Sequence, residues 1–156
     1  MLALVVVALH VFSVILWIGS IVSAGWMLAN RSTAPTPEQA KASVELALGL
    51  YRRVAAPAFV LAFATGLVRV LLDRDAYLKA HWFHGKLTLA LVIIVLHHVL
   101  GARAARLAKA QKDSPSVEVG ANSRQGASRD GILTGALVLC ALGVVVLVVL
   151  QSSLVP

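Results

Sequence analysis

Leu2–Ala29 reads LALVVVALHVFSVILWIGSIVSAGWMLA, twenty-eight residues without a single Lys, Arg, Asp or Glu. As a helix it would extend about 42 Å, more than the roughly 30 Å hydrocarbon layer of a bilayer. The tract lacks a basic n-region and far exceeds the roughly 7–15 apolar residues of a leader, so it reads as a retained helix. Three further tracts of this kind follow. The spans are placed at 2–29, 44–72 (apolar from Val54), 82–109 (apolar from Trp82 to about Ala102) and 131–155. Their apolar runs are continuous and do not alternate with period two, which selects helices over barrel strands.

Composition agrees. Of the 156 residues 59% are hydrophobic and 13% charged, against about 45–50% and about 25% in soluble domains. That ratio excludes a soluble enzyme and a disordered chain, and a lone cysteine, Cys140, excludes a disulfide-stapled module. The expected fold is all-α: a single integral membrane four-helix bundle occupying residues 1–156, in contact with membrane lipid.

The formal charge of +7 is unevenly placed. Ten of the fourteen basic residues fall in the first connector and the mouth of the second helix (Arg31, Lys41, Arg52, Arg53) or in the third connector (Arg103, Arg106, Lys109, Lys112, Arg124, Arg129). Positive-inside counting puts these in the cytoplasm and both termini on the outer, periplasmic side of a bacterial inner (plasma) membrane. Charge so placed is explained by topology and anionic lipid, and no nucleic-acid partner is expected. Residues 110–129, rich in Ser, Gly, Asn, Lys and Arg, read as a mobile cytoplasmic loop without chemistry of their own.

Inside a bilayer, each polar side chain needs a partner or a purpose. Here they are His10, His84, Lys86, His97, His98 and the late Arg69. His84 and His98, fourteen residues apart, lie within about 40° of one helix face and about 21 Å apart. His81 joins that face. Lys86 and His97 share a second face within about 20°. Histidine is the usual haem ligand within helical bundles, and a fourteen-residue spacing is like that of di-haem cytochrome b helices. Those proteins, however, need two such helices, and this chain has one. His10 lies about 12 Å down the first helix, at a depth between His84 and His98. Trp17 follows one heptad later on the same face and either fills core volume or walls a flat cofactor. Of the neighbours His97 and His98, at least one is expected to hydrogen-bond between helices. Lys86 either snorkels to the surface or meets an anionic group. Arg52 and Arg53 are anchors by default. Pro57 predicts a kink, and Gly131, Gly135 and Gly143 permit close helix approach, within the chain or in a homodimer.

Together these residues resemble the HemJ-type protoporphyrinogen oxidase family and its CopD-like membrane relatives. The likeness covers most of the chain: Leu9-His10 with Trp17-Ile18-Gly19, Leu50-Tyr51-Arg52 with Pro57, Trp82-Phe83-His84-Gly85-Lys86-Leu87, and His98. The family's asparagine–glutamate–valine–proline segment before the fourth helix is replaced by Arg129-Asp130-Gly131-Ile132, keeping at most one acidic residue. The resemblance implies a bound haem b, with His10, Trp17 and Lys86 functional.

The leading expectation is thus a haem-b-binding redox protein similar to protoporphyrinogen IX oxidase, an oxidoreductase of porphyrin biosynthesis. His10 would be one axial metal ligand and His84 or His98 the other. Trp17 and Arg52 would line the cofactor, and Lys86 with Trp17 would serve catalysis on a porphyrinogen or electron transfer to a quinone. Two alternatives stand beside it. One is a small subunit, haem-containing or structural, of a larger membrane electron-transfer complex. The other is a CopD-like copper transport module, for which Met1, Met27 and Cys140 are the few soft ligands.

Overall fold

The computed structural model describes residues 1–113 and 121–150, with the side chains of 121–124 left aside. Among these residues there is no strand. The elements are α1 (Leu2–Asn30), a 3-10 turn (Arg31–Thr33), α2 (Pro37–Leu50), a π-helical segment (Tyr51–Ala55), α3 (Ala56–Leu72), α4 (Arg74–Lys79), α5 (His81–Asp113) and α6 (Ala121–Val149). Four continuous helical stretches, Leu2–Thr33, Pro37–Leu72, His81–Asp113 and Gln125–Val149, are long and apolar enough to cross a membrane. The fold is an all-α four-helix membrane bundle.

The helices outrun the expected spans, each for a local reason. The second starts at Pro37, seven residues before position 44, because Thr36 caps it: its hydroxyl accepts from the Gln39 backbone N–H at 3.3 Å, and Pro37 takes the first helical position. The added turns bury Ala40, in line with Val44 and Ala47 further along the helix. The third runs on to Asp113, burying Ala104 and Ala108. The fourth begins at Ala121 rather than 131. Residues 110–113 and 121–129 are therefore helical where a loop was expected. The rest of that loop, 114–120, and the tail 151–156 of the expected fourth span lie outside the described residues.

Pro57 has its effect just before itself. The Ala56 N–H reaches back five residues to the Tyr51 carbonyl, so the helix widens by one residue immediately ahead of the proline. Such π segments accommodate a break in the i→i−4 ladder.

Helix α1 is central, packing on α3 and α6 and, at its far end, on α2. Helix α5 packs on α6 and α2. Consecutive spans alternate in direction, so α1 and α5 run the same way. One end of the bundle carries Arg31, Arg52, Arg53, Arg103, Arg106, Lys109 and Lys112, and is called the basic end below; the other carries α4.

Burial is lopsided. At mid-bundle Trp17, Ile21, Ala55, Ala58, Ala62, Ile93, Leu100 and Leu137 form one core. Towards the basic end Ala24, Leu28, Val44, Ala47, Ala104 and Ala108 form a second, dominated by alanine, which lets the helices approach closely. Towards the α4 end the inward-facing His10, Gly66, Lys86, Leu89 and Val144 are half-buried.

Two glycines test this packing. A Cβ on Gly101 would overlap the Tyr51 ring, whereas one on Gly19 would meet nothing within 4 Å. Gly101→Ala is expected to lower unfolding free energy by about 1–3 kcal/mol through overpacking. Gly19→Ala should be neutral or slightly stabilising through helix propensity. Unfolding of both variants by SDS titration checks the contrast, and equal behaviour of the two would refute the Tyr51–Gly101 contact.

Candidate functional site

The α1 stripe Val6, His10, Ser13, Trp17, Ser20, Ala24 recurs at alternating spacings of four and three and faces the bundle interior. Its polar members are handled differently. Ser13 and Ser20 return their hydroxyls to the carbonyls of Leu9 and Leu16 on their own helix, the usual way a membrane serine is satisfied. His10 instead crosses to α3.

The His10 Nδ1 lies 2.9 Å from the Ala62 carbonyl oxygen and 3.2 Å from the Thr65 hydroxyl. A carbonyl only accepts, so Nδ1 carries the proton and Nε2 is left with its lone pair. Thr65 in turn donates to the Leu61 carbonyl at 2.7 Å, which fixes its hydroxyl oxygen beside the imidazole. Gly66 provides the room: a Cβ there would stand 3.0 Å from His10 Cε1. This is how metal-ligating histidines are commonly oriented, one ring nitrogen donating to a fixed oxygen and the other free.

His97 is held in the opposite sense. It is 1% exposed, and its Nδ1 accepts from the Trp17 indole N–H at 3.1 Å. An indole only donates, so neutral His97 carries its proton on Nε2. Its ring lies 4.9 Å from Tyr51 and 5.1 Å from Phe59, centroid to centroid, and Trp17 is 5.1 Å from Phe59. These four rings close the bundle interior beneath His10. Trp17 belongs to this core and is 7% exposed. Sequence reasoning required one of the neighbours His97 and His98 to bond between helices, and the buried one is His97.

The other histidines are not brought to His10. His84 is exposed near α4, its Nε2 donating to the Leu78 carbonyl at 3.0 Å. His98 is exposed, its Nδ1 donating to the Ile94 carbonyl of its own helix at 2.8 Å, with its ring 5.6 Å from Phe59. Taking Trp17 and His97 as level, His84 lies about 9 Å from the level of His10 towards the α4 end, and His98 about 12 Å the other way. Lys86 is nearer, about 6 Å in level. It is half-buried on the face it shares with His97. Among the described residues no three His, Cys, Asp or Glu side chains gather as a metal cluster. The soft donors are dispersed: Cys140 packs on the mid-bundle core, Met27 on the second core, and Met1 is exposed.

Arg52 lies ten residues before Ala62, about 15 Å along the helix. It lines a separate groove at the basic end with Arg53 and Lys112. At the α4 end Arg69 stands 3.9 Å from Asp73 and 5.1 Å from the Tyr77 ring centre.

Sequence reasoning gave little weight to the one buried acid among the described residues. Asp130 on α6 is fully buried; its carboxylate meets Arg31 at 2.5 Å and also the Arg103 guanidinium. Arg31 donates further to the Leu28 carbonyl, and Arg103 to the Gly126 carbonyl at 3.1 Å. The signal available was an acidic residue at the mouth of an uncharged span, next to Arg129 and on the side that holds most of the basic residues.

Fold and geometry thus define a class: a four-helix membrane bundle with one oriented histidine above an aromatic floor, clamped at its basic end by an ion triad around the buried Asp130. Set against protein-family models, curated proteins and solved structures, the chain matches none.

Proposed function

We propose that this chain is a haem-b-binding redox protein of a bacterial plasma membrane, with His10 as an axial ligand. The observation that carries the reading is the His10 imidazole, pinned through Nδ1 to the Ala62 carbonyl so that Nε2 is free in the half-buried part of the interior. The residues present fit a haem held through one histidine of this chain. When bound, haem supplies one-electron chemistry, and the protein tunes it by ligand, burial and nearby charge. The chain's own groups would do the rest. The Ala62 carbonyl keeps His10 in the ligating tautomer. Trp17, Phe59 and His97 exclude water from below. Lys86 offers a cation to an anionic group such as a propionate, or a proton to a substrate. Oxidation of protoporphyrinogen, with electrons passed on to a quinone, is the activity the resemblance favours.

A second reading, a small subunit whose histidines only join helices, draws on the Trp17–His97 bond. Absorption spectra separate the two. Protein purified in detergent from haem-replete cells should show a sharp α-band on dithionite reduction, lost in His10→Ala and kept in His84→Ala and His98→Ala. A colourless wild-type preparation overturns the haem reading and leaves the subunit reading standing.

A further inference from the structure

We propose that the groove at the basic end is a binding site for a phosphate-bearing anion, filled in the membrane by the headgroup of an acidic phospholipid. The groove is open to the surface, offers about 270 Å³ and is lined by Glu45, Leu48, Gly49, Arg52, Arg53, Ala108 and Lys112. Residues 45, 48, 49, 52 and 53 recur at helical spacing and form one wall; Ala108 and Lys112, one turn apart on α5, form the other. The hollow exists because the residues at its base are small. A Cβ on Gly49 would meet nothing within 4 Å. At about 30 Å³ per water, the space takes a phosphate with several ordered waters.

Charge points to the occupant. Three cations and one acid, Glu45, line this hollow, and all three cations are exposed. Among the described residues none of the three has an ion-pair partner, because the ion pairs formed are those of Arg31 and Arg103 with Asp130 and of Arg69 with Asp73. Positive-inside topology explains why cations occur at this end but not why three of them surround one concavity. Arg106 and Lys109, on the same stretch of α5, do not line it. Two guanidiniums present forked donors suited to phosphate oxygens, and the ammonium adds a point charge. The groove also lies just outside the start of the apolar span near Val54, at the level of headgroups, with Arg52 and Arg53 next to that boundary and Leu48 about 9 Å further from the hydrocarbon than Val54. A lipid headgroup at that level brings its phosphate to the three cations. None of this depends on haem.

The test is native mass spectrometry of full-length protein released from nanodiscs of phosphatidylcholine with a minority of phosphatidylglycerol. Wild type should retain phosphatidylglycerol. Arg52→Gln/Arg53→Gln/Lys112→Gln should weaken retention on the order of a hundredfold, at about fivefold per cation. Arg106→Gln/Lys109→Gln, which removes charge beside the groove, should stay within a few-fold of wild type. If both variants weaken retention in proportion to the charges removed, the effect is diffuse surface attraction and the proposal falls. Inorganic phosphate, titrated into protein in pure phosphatidylcholine nanodiscs and followed by phosphorus NMR, identifies the source. Binding to wild type but not to the triple variant, with no selective lipid retention, keeps the phosphate site and overturns the lipid as its occupant. Lys112→Glu alone, at the exposed end of α5, repeats the comparison without altering the second span and should weaken retention about 25-fold, at about fivefold per unit of charge.

Discussion

Replacing Asp130 by alanine will cost the fold about 3 kcal/mol, the lower end for breaking a buried pair, because it strands the buried Arg31 guanidinium while that of Arg103 is partly exposed to solvent. Asp130 is fully buried, between Arg31 at the end of α1 and Arg103 on α5. Removing it leaves two like charges facing each other with only the Leu28 and Gly126 carbonyls as partners. The clamp joins three elements at one point, so its loss should loosen the whole basic end. The complementary variant sharpens the claim. Removing the triad together, as Asp130→Leu with Arg31→Met and Arg103→Met, should recover most of the loss, since apolar replacements of buried ion networks are often neutral or stabilising. SDS-titration unfolding of both proteins decides. A loss under about 1 kcal/mol for Asp130→Ala would mean that water reaches both arginines and the clamp is not buried in the membrane.

The fold was legible because membrane spans are written in composition. Leu2–Ala29 has no charge to place, and a helix is the one way for such a lone segment to satisfy its backbone in lipid. The helix ends were less so. Apolar runs mark where lipid begins, but α2 and α6 continue well past that boundary into polar sequence, α2 held there by Thr36 capping and by burial of Ala40, Val44 and Ala47. Polarity was read as loop where a long helix simply leaves the membrane.

The site was legible in its residues and not in its pairings. His10 stands out in a tract with no other ionisable group, and the structure gives it a partner on another helix. Which histidine of His97-His98 turns inward depends on the rotation of α5. That rotation follows from small residues on it, Gly101 under Tyr51 and Ala104 in the second core, whose meaning appears only when the neighbouring helix is in place. The fourteen-residue spacing of His84 and His98 is real on one face, but that face is turned outward. The Asp130 triad was hidden differently. Its three members lie in three separate segments, each of which alone reads as a charge at a span mouth.

Trp17 allows packing and hydrogen bonding to be separated in one position. Its indole fills the junction of α1, α3 and α5, and its N–H is the donor to the buried His97 Nδ1 at 3.1 Å. Trp17→Ala should cost about 3 kcal/mol, the lower part of the range for core Trp→Ala, because the vacated volume loses its contacts while transfer of apolar surface into lipid costs nothing. Trp17→Phe keeps most of the ring volume and deletes the donor. It should cost about 1 kcal/mol, in line with the about 0.6–1.7 kcal/mol of interhelical hydrogen bonds in membranes. His97→Ala adds the third corner of a double-mutant cycle, whose coupling with Trp17→Phe should fall in that same range of about 0.6–1.7 kcal/mol. Equal losses for the phenylalanine and alanine variants would show that the hydrogen bond, not the ring, holds the junction, and would remove the packed floor from beneath His10. If the ring does hold it, Trp17→Phe should keep whatever His10 binds, because Phe59 and His97 still close the interior below the free Nε2.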